Sequence, residues 1–595
     1  MLENLRAYRV LLAIGFRAAP RQATMQILSG LFFQLQGPIF AFGAKLLVDA
    51  AVAQTLDVGL LAGVVMALSI GLSLVAVFYY VDWVFTVLDR AGALATRRLI
   101  QLMGGTHGLA HHERPDYQDQ VQRIREEQGR LGGMVNATAG VLRAMVVLIA
   151  TAVLLVSVHP LLILLPLFGI LSAWLGKRSQ DLEVSAQEAT SEATRLYRHL
   201  FEVGTAAPQG KELRLFGLTD RLLERHHQVS DGVLQVRNGA TWRGALLRAG
   251  DGFISGLAFA GAITLVLVLA VRGQATPGDV ILTVSLAAQM NGIVFLAIAY
   301  GTGLLWLLKV ARRYMWLEEY AEGAKRAPVA PTAVPDRLTK GIELQNVTFG
   351  YPGSDRPVLA NLSLRLPAGK VVALVGENGA GKTTLVKLLA DFYQPDSGQI
   401  LIDGRDLAQI DPDGWRSRLS AAFQDFSKFE FLVREAVGIA DLDRIEERAA
   451  VTAALQRAGA DGLVANLPDG SETQLGTAWP NGVDLSGGQW QKLALGRGLM
   501  RTDPLLVVFD EPTAALDAQT EFALFERFAE AARAGRERGT ITLLVSHRFS
   551  TVQMADLILV LENGRILEYG SHEALLSQDG LYAELYELQS QAYRD

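Results

Sequence analysis

Long apolar runs fill the first half of the chain, and past about residue 310 they give way to short runs of strand length and one-sided helical patterns. Six runs come near the roughly 20 residues that a bilayer demands: about 22 to 46, 59 to 82, 134 to 157, 159 to 176, 250 to 271 and 277 to 309. The third and fourth are parted only by a tight turn around Val158-His159-Pro160. No Lys or Arg lies between Lys45 and Arg90, whereas the segments from Arg90 to Arg143 and from Lys177 to Arg248 are rich in arginine. Those two segments and both chain ends are therefore expected on the cytoplasmic side. Both are too long for simple turns. Each is expected to extend its spans inward as helices with a crosswise piece at the tip, His111 to Tyr117 in the first and Gln209 to Gly217 in the second, suited to docking on a soluble domain. The pattern predicts an all-α membrane domain over residues 1–320, a Pro/Ala-rich linker over 321–339 and an α/β domain over 340–595.

Within the second half, the β-branched run Val371 to Val375 reads as a buried strand, and a glycine-rich turn and a helix with Leu385, Leu388 and Leu389 on one face follow it. Gly376-x4-Gly381-Lys382-Thr383 is a phosphate-cradle pattern. Backbone N–H groups along Gly376, Glu377, Asn378, Gly379, Ala380 and Gly381 can close on phosphate oxygens at a helix N-terminus. Lys382 reaches the terminal phosphates, and Thr383, followed by Thr384, supplies a hydroxyl for magnesium. The strand Pro504 to Asp510 ends in two acids, Asp510 and Glu511, one placed to hold the metal and the other to polarise water. Gln424 follows the strand-like Leu419 to Phe423, and His547 follows the buried strand Thr542 to Ser546; strand ends of this kind are where open α/β sheets bind ligands. Leu485-Ser486-Gly487-Gly488-Gln489 opens a helix and suits a second phosphate contact, although alone it is a capping signal. Tyr351, shortly before the core strand, either stacks on adenine or packs as a surface turn residue.

Composition narrows the classes. In 595 residues there is no cysteine, which removes disulfides, cysteine zinc sites and thiol nucleophiles. The net charge of −6 comes without a basic block, so nucleic acid is not an expected partner. The N-terminus interrupts its apolar residues with Glu3, Arg6, Arg9 and Arg17, as an amphipathic helix at the inner membrane surface would. Polar groups at membrane depth are functional candidates. Asp251, Gln289 and Asn291 fall in the last two runs and are candidates for a substrate cavity, with helix-to-helix hydrogen bonding an equal explanation for the last two. Asp82, in YYVDW, reads as an interface residue.

In this order the pieces resemble the nucleotide-binding domain of an ABC transporter, and the six preceding runs resemble the membrane domain of an exporter of that superfamily. By motif, Gly376 to Thr383 matches Walker A, Gln424 the Q-loop, Leu485 to Gln489 the signature, Leu506 to Asp510 Walker B, Ala515-Leu516-Asp517 the D-loop and His547 the switch histidine. The resemblance implies ATP and Mg2+ as ligands, with Thr383, Gln424 and Asp510 on the metal, and Glu511, His547, Lys382 and Gln424 in catalysis. It implies a dimer in which Ser486, Gly487, Gly488, Gln489 and Asp517 of one copy complete the other copy's site. A homodimer is the economical expectation, and a heterodimer with a degenerate second chain stays open. The expected function is ATP-driven efflux of an amphipathic or peptide substrate across the cytoplasmic membrane, with a lipid flippase or multidrug exporter as alternatives and an ATP-gated channel or sensor as a rival of another class. Residues 475–484 (LGTAWPNGVD) depart from the usual charged stretch before the signature, and DLSGGQWQKLALGR with FQDF is similar to exporters of modified peptides.

Overall fold

The computed structural model describes residues 2–206, 209–324, 332–354, 356–511, 535–546 and 552–592, with isolated positions between 527 and 548. The chain forms two compact units, Met1–Gly105 with Val121–Ala321 and Thr106–Gln120 with Glu322–Asp595.

The first unit is helical. Its elements are α1 (Leu2–Ala18), α2 (Pro20–Ala53), α3 (Leu56–Gly104), α4 (Pro115–Glu127, which begins in the second unit), α5 (Met134–Val158), α6 (Leu164–Ala189), α7 (Ser191–Thr205), α8 (Gly210–Leu215), α9 (Thr219–Val271) and α10 (Pro277–Ala324). All six apolar runs fall on helices. Among the described residues five helices can cross a membrane by length and composition; α6 is not among them, because Pro160–Ile163 forms a separate 3-10 turn ahead of it and Lys177, Arg178 and Asp181 follow only 13 residues into the helix. With 49 and 53 residues, α3 and α9 are roughly 75–80 Å long, more than twice a hydrocarbon core, so each continues well outside the lipid. Leu60, Leu61, Leu68, Leu74 and Phe78 of α3 are all more than half exposed, as apolar side chains are where lipid replaces water. Within the segment Gln209 to Gly217 lies a short helix, α8, with Leu215 and Phe216 exposed at its end.

One joint inside this unit is polar. Asp49 of α2 accepts from the Gly278 backbone N–H and the Thr276 hydroxyl, each at 2.9 Å, while Lys45 pairs with Asp279. Thr276 and Asp279 cap α10 reciprocally, at 2.9 and 3.1 Å. A carboxylate of α2 thus satisfies an orphan donor in the first turn of α10. The approach is close: a Cβ on Gly278 would lie 2.4 Å from the Lys45 carbonyl oxygen.

The second unit contains two sheets. A four-stranded antiparallel sheet runs β2-β1-β4-β5, from β1 (Gly341–Phe349), β2 (Leu359–Pro367), β4 (Ser397–Ile402) and β5 (Arg405–Asp406). A six-stranded sheet runs β10-β9-β3-β8-β7-β6, from β3 (Val371–Val375), β6 (Leu419–Ala422), β7 (Leu506–Asp510), β8 (Ile541–Val545), β9 (Leu557–Glu562) and β10 (Arg565–Gly570). It is parallel from β9 to β6, with β10 antiparallel at the edge. All five residues of β3 are buried because the sheet is covered on both faces: Val371, Ala373 and Val375 enter one core and Val372 and Leu374 the other. The helices are α11 (Lys382–Leu389), α12 (Pro412–Ser417), α13 (Val433–Gly438), α14 (Arg448–Arg457), α15 (Asp461–Ala465) and α16 (Gly487–Gly498), with His572–Ser577 and Leu581–Ala592 after the sheet. Buried Trp415 donates its indole N–H to the Leu389 carbonyl at 2.9 Å and so ties α12 to the end of α11. Residues 106–120 join this unit: the Leu109 N–H donates to the Phe392 carbonyl at 3.0 Å. Of the linker, residues 325–331 lie outside the described residues, and Thr332 already packs as a bridge to Ile410.

Gly278→Val is expected to destabilise the protein by about 1–3 kcal/mol, since the added branch meets the Lys45 backbone carbonyl and the Asp49 carboxylate that caps the helix. Thermal unfolding in detergent is the measurement, and an unchanged midpoint would show that the α2–α10 joint is not tight.

Candidate nucleotide-binding site

The parallel strand β3 delivers the chain to its C-terminal end, where the backbone must turn sharply into α11. Gly376 has φ +155°, and a Cβ there would lie 2.1 Å from the Leu561 carbonyl oxygen on β9, so no other residue fits the start of this turn. Gly379 and Gly381 also have positive φ, +86° and +105°. The loop therefore curls over the N-terminus of α11, whose first residues are Lys382, Thr383 and Thr384. Those backbone donors and the helix dipole make the turn receptive to anions.

Lys382 is 8% exposed and donates Nζ to the Gly376 and Glu377 carbonyls at 2.7 and 2.9 Å. Burial lowers its pKa, and the nearby Glu511 and Asp510 oppose that shift. Asp510, 2% exposed at the tip of β7, accepts from the Thr383 hydroxyl at 3.3 Å. Burial pushes its carboxyl up to about 6, with the charges of Glu511 and Asp425 adding to the rise and Thr383 and Lys382 opposing it. Glu511 adopts left-handed φ, +46°, a strained conformation for a residue with a Cβ. Its N–H donates to the Val545 carbonyl of β8 at 2.9 Å, and its carboxylate accepts from Gln424 Nε2 at 2.8 Å. Strands β6, β7 and β8 thus bring Gln424, Asp510 and Glu511 to one edge beside the turn after β3. Tyr351 places its hydroxyl 3.0 Å from Thr384 Oγ1 and meets Phe349 and Tyr393 edge to face.

Among the described residues no three His, Cys, Asp or Glu side chains cluster, so a cation here is served by oxygens of mixed type. Thr383 and Asp510 stand together, and the Gln424 amide reaches them through Glu511, a donor set that suits a hard divalent ion completed by phosphate oxygens. Asp425 was missed in the sequence, although it directly follows Gln424. His547 and Asp517 lie outside the described residues.

The signature residues sit elsewhere. Ser486 caps α16: its hydroxyl accepts from the Gln489 N–H at 3.3 Å and its own N–H donates to Gln489 Oε1 at 2.8 Å. Ser486 and Gly487 are exposed, and α16 packs on α13, α14 and β6. The signature helix thus packs beside β6, which lies three strands, about 14 Å, from the cradle strand β3.

In the first unit, Asp251 of α9 accepts from Ser172 of α6, while Gln289 of α10 bonds its own helix at the Ser285 carbonyl and lies against Gly37 of α2. The two residues are held by different helix pairs, and the Asn291 side chain lies outside the described set. A polar cluster that sequence reading passed over is on α5. Arg143, 4% exposed, donates to the Tyr300 hydroxyl at 3.1 Å and has its guanidinium 4.6 Å from the Tyr80 ring centre. Beside it, Asn136 accepts from Gln26 and from the Tyr80 hydroxyl, each at 3.1 Å. Its position well inside an apolar run was the available signal.

Because the folded state holds the Asp510 proton more tightly than the unfolded chain does, the parent is expected to lose stability as pH rises from about 4 to about 6, and Asp510→Asn to escape that loss. At pH 8 the variant should be more stable by on the order of 2 kcal/mol, with the gap closing near pH 4. Unfolding midpoints across that range are the check.

The family description "ABC transporter" matches residues 359–514, and "ABC transporter transmembrane region" matches residues 131–294. Over 434 residues the chain is 32% identical to a protein named ATP-dependent lipid A-core flippase from Ralstonia nicotianae, covering 72% of this chain and 69% of that one. A protein of the same name from Cupriavidus pinatubonensis is 33% identical over 436 residues, with the same coverage. A bacterial Atm1-family ABC exporter with ATP bound superposes with a TM-score of 0.78 at 25% identity, covering 96% of this chain and 99% of that one. With a helical membrane region and an ATP-binding domain fused in one multi-pass polypeptide, this chain belongs to the ABC transporter family and is an ABC exporter that couples ATP hydrolysis to transport.

Proposed function

We propose that two copies of this chain form a flippase or exporter for an amphipathic lipid with an anionic headgroup, in the cytoplasmic membrane with both chain ends inside. The observation that carries the substrate class is Arg143. A guanidinium buried within a membrane helix is costly, and among the described residues no carboxylate lies within ion-pair distance of it. Its contacts are neutral, the Tyr300 hydroxyl and the Tyr80 and Tyr300 rings, so the charge is left for a bound anion. The relatives named lipid A-core flippases act, by that name, on a lipid. Asp251, Gln289 and Asn291 remain candidates for lining a substrate path.

At the ATP site, Lys382 and the cradle N–H groups bind the phosphates, and Thr383, Asp510 and Gln424 would hold Mg2+. Bound there, the ion supplies charge neutralisation at the phosphate oxygens. Glu511, fixed by Gln424 and by its own strained backbone, takes a proton from water as the water oxygen bonds to the γ-phosphorus and the bond to the β–γ bridging oxygen breaks. Ser486 to Gln489 of one copy close the cradle of the other, which the exposure of Ser486 and its place on the β6 side support. His547 and Asp517 keep the roles their motifs imply.

Glu511→Gln should cut ATP turnover by about 10²-fold or more while nucleotide binding persists; turnover at the parent rate would remove Glu511 as the base. In nanodiscs, anionic lipids should stimulate the ATPase more than zwitterionic ones, and Arg143→Met should abolish that difference. Equal stimulation of the parent by both lipid classes, or ion current without ATP-coupled lipid movement, would overturn the substrate reading.

A further inference from the structure

Helix α11 carries the phosphate-binding residues at its start and a second cation, Lys387, in its last turn. Thr384 and Lys387 are three residues apart and share a helix face. Toward that face comes Tyr351: its hydroxyl lies 3.0 Å from Thr384 Oγ1, and Lys387 Nζ stands 5.1 Å from its ring centre. The same ammonium is 5.7 Å from the Tyr393 ring, and Tyr351 and Tyr393 meet at 90° with centres 5.5 Å apart. Lys387 is therefore bracketed by two aromatic rings, a cation–π arrangement.

The bracket closes through residues 106–120. Glu113 lies 3.7 Å from Lys387 Nζ and accepts a 2.5 Å hydrogen bond from the Tyr393 hydroxyl. Burial first, and then the carboxylate, hold that phenol protonated well above its ordinary range. Glu113 thus balances the ammonium and fixes the second ring at once, and the Leu109 bond to the Phe392 carbonyl keeps the segment in register with the end of α11.

We propose that Lys387 is a positioning residue for the nucleotide base: with Glu113 engaged, it holds the Tyr351 ring ready to stack on the purine of ATP, so the segment 106–120 sets nucleotide affinity. This rests on the reading of Tyr351 as the base-stacking residue. An ammonium over one face of a ring withdraws π density and favours stacking of an electron-rich purine on the other. The phosphate cradle, built from Gly376 to Thr383, is left alone by this device.

The test uses the full chain in nanodiscs with two ligands: ATP as substrate, and tripolyphosphate, which has the phosphates and lacks the base, as inhibitor. Lys387→Met should raise KM for ATP about threefold to tenfold with little change in kcat, and leave the tripolyphosphate inhibition constant where it was. Lys387→Arg should recover most of the loss. Glu113→Gln should raise KM in the parent and add nothing in the Lys387→Met background, because the two act through one contact. An unchanged KM in Lys387→Met, a parallel weakening of tripolyphosphate, or full additivity with Glu113→Gln would overturn the proposal. Tyr351→Ala separates the layers. If it leaves KM for ATP unchanged, the base-stacking reading fails; if it raises KM while Lys387→Met does not, that reading stands and only the positioning role fails.

Discussion

Burying a charge costs several kcal/mol unless protein groups replace the lost water, and the nucleotide cradle buries two charges of opposite sign. Lys382 and Asp510 come from different parts of the sequence, and only the parallel order β3-β8-β7 brings them to one edge. The glycine turn supplies carbonyls to the lysine, Thr383 supplies a hydroxyl to the aspartate, and their electrostatic fields favour each other's charged form. Even so, desolvation dominates both groups and drives both toward neutrality. A site in that condition gains from a ligand that brings negative phosphate to the lysine and positive charge to the aspartate, which is what a metal–triphosphate complex offers.

The same rule sorts the polar groups of the membrane unit. Where the chain has both signs to hand, it pairs them: Lys45 and Asp279 neutralise each other while Asp49 caps α10. Arg313 likewise meets Glu127 at 2.7 Å. Arg143 departs from that pattern, given the phenols of Tyr80 and Tyr300 in place of an acid. Aromatic faces attract a cation but do not cancel it. The contrast with the well-paired residues is what marks Arg143 as unfinished within a single chain.

How much of this was legible from the sequence depended on how local each feature is. The cradle is local: glycine spacing, a buried strand before it and a helix after it define it without knowledge of the rest. The capping box at Ser486 and Gln489 is equally local, and both acids at the end of β7 follow from one short run. Span positions were readable because hydropathy is additive along a helix, and the one span that fell short, on α6, did so where three charges dilute the run. What sequence could not supply was pairing across long separations. Glu113 with Tyr393 joins residues 280 apart, and Asp49 with Gly278 joins residues 229 apart. Arg143 was counted with the arginine-rich cytoplasmic segment because a sequence window sees the charge but not the helix face it occupies.

Geometry also fixes what one copy cannot do for itself. A signature serine that served its own cradle would have to reach from the β6 side across β7 and β8 to the turn after β3, and the capping box pins it to the start of α16 instead. Exposed, polar and held by its capping box at a helix N-terminus, Ser486 has the placement that the proposed contact with a second copy's phosphate requires. In the dimer proposed above, each of the two half-sites on one polypeptide would meet its complement on a second copy, and each nucleotide would become part of the interface. Binding energy at the phosphates is thereby available to draw two chains together, which a site complete within one chain could not do.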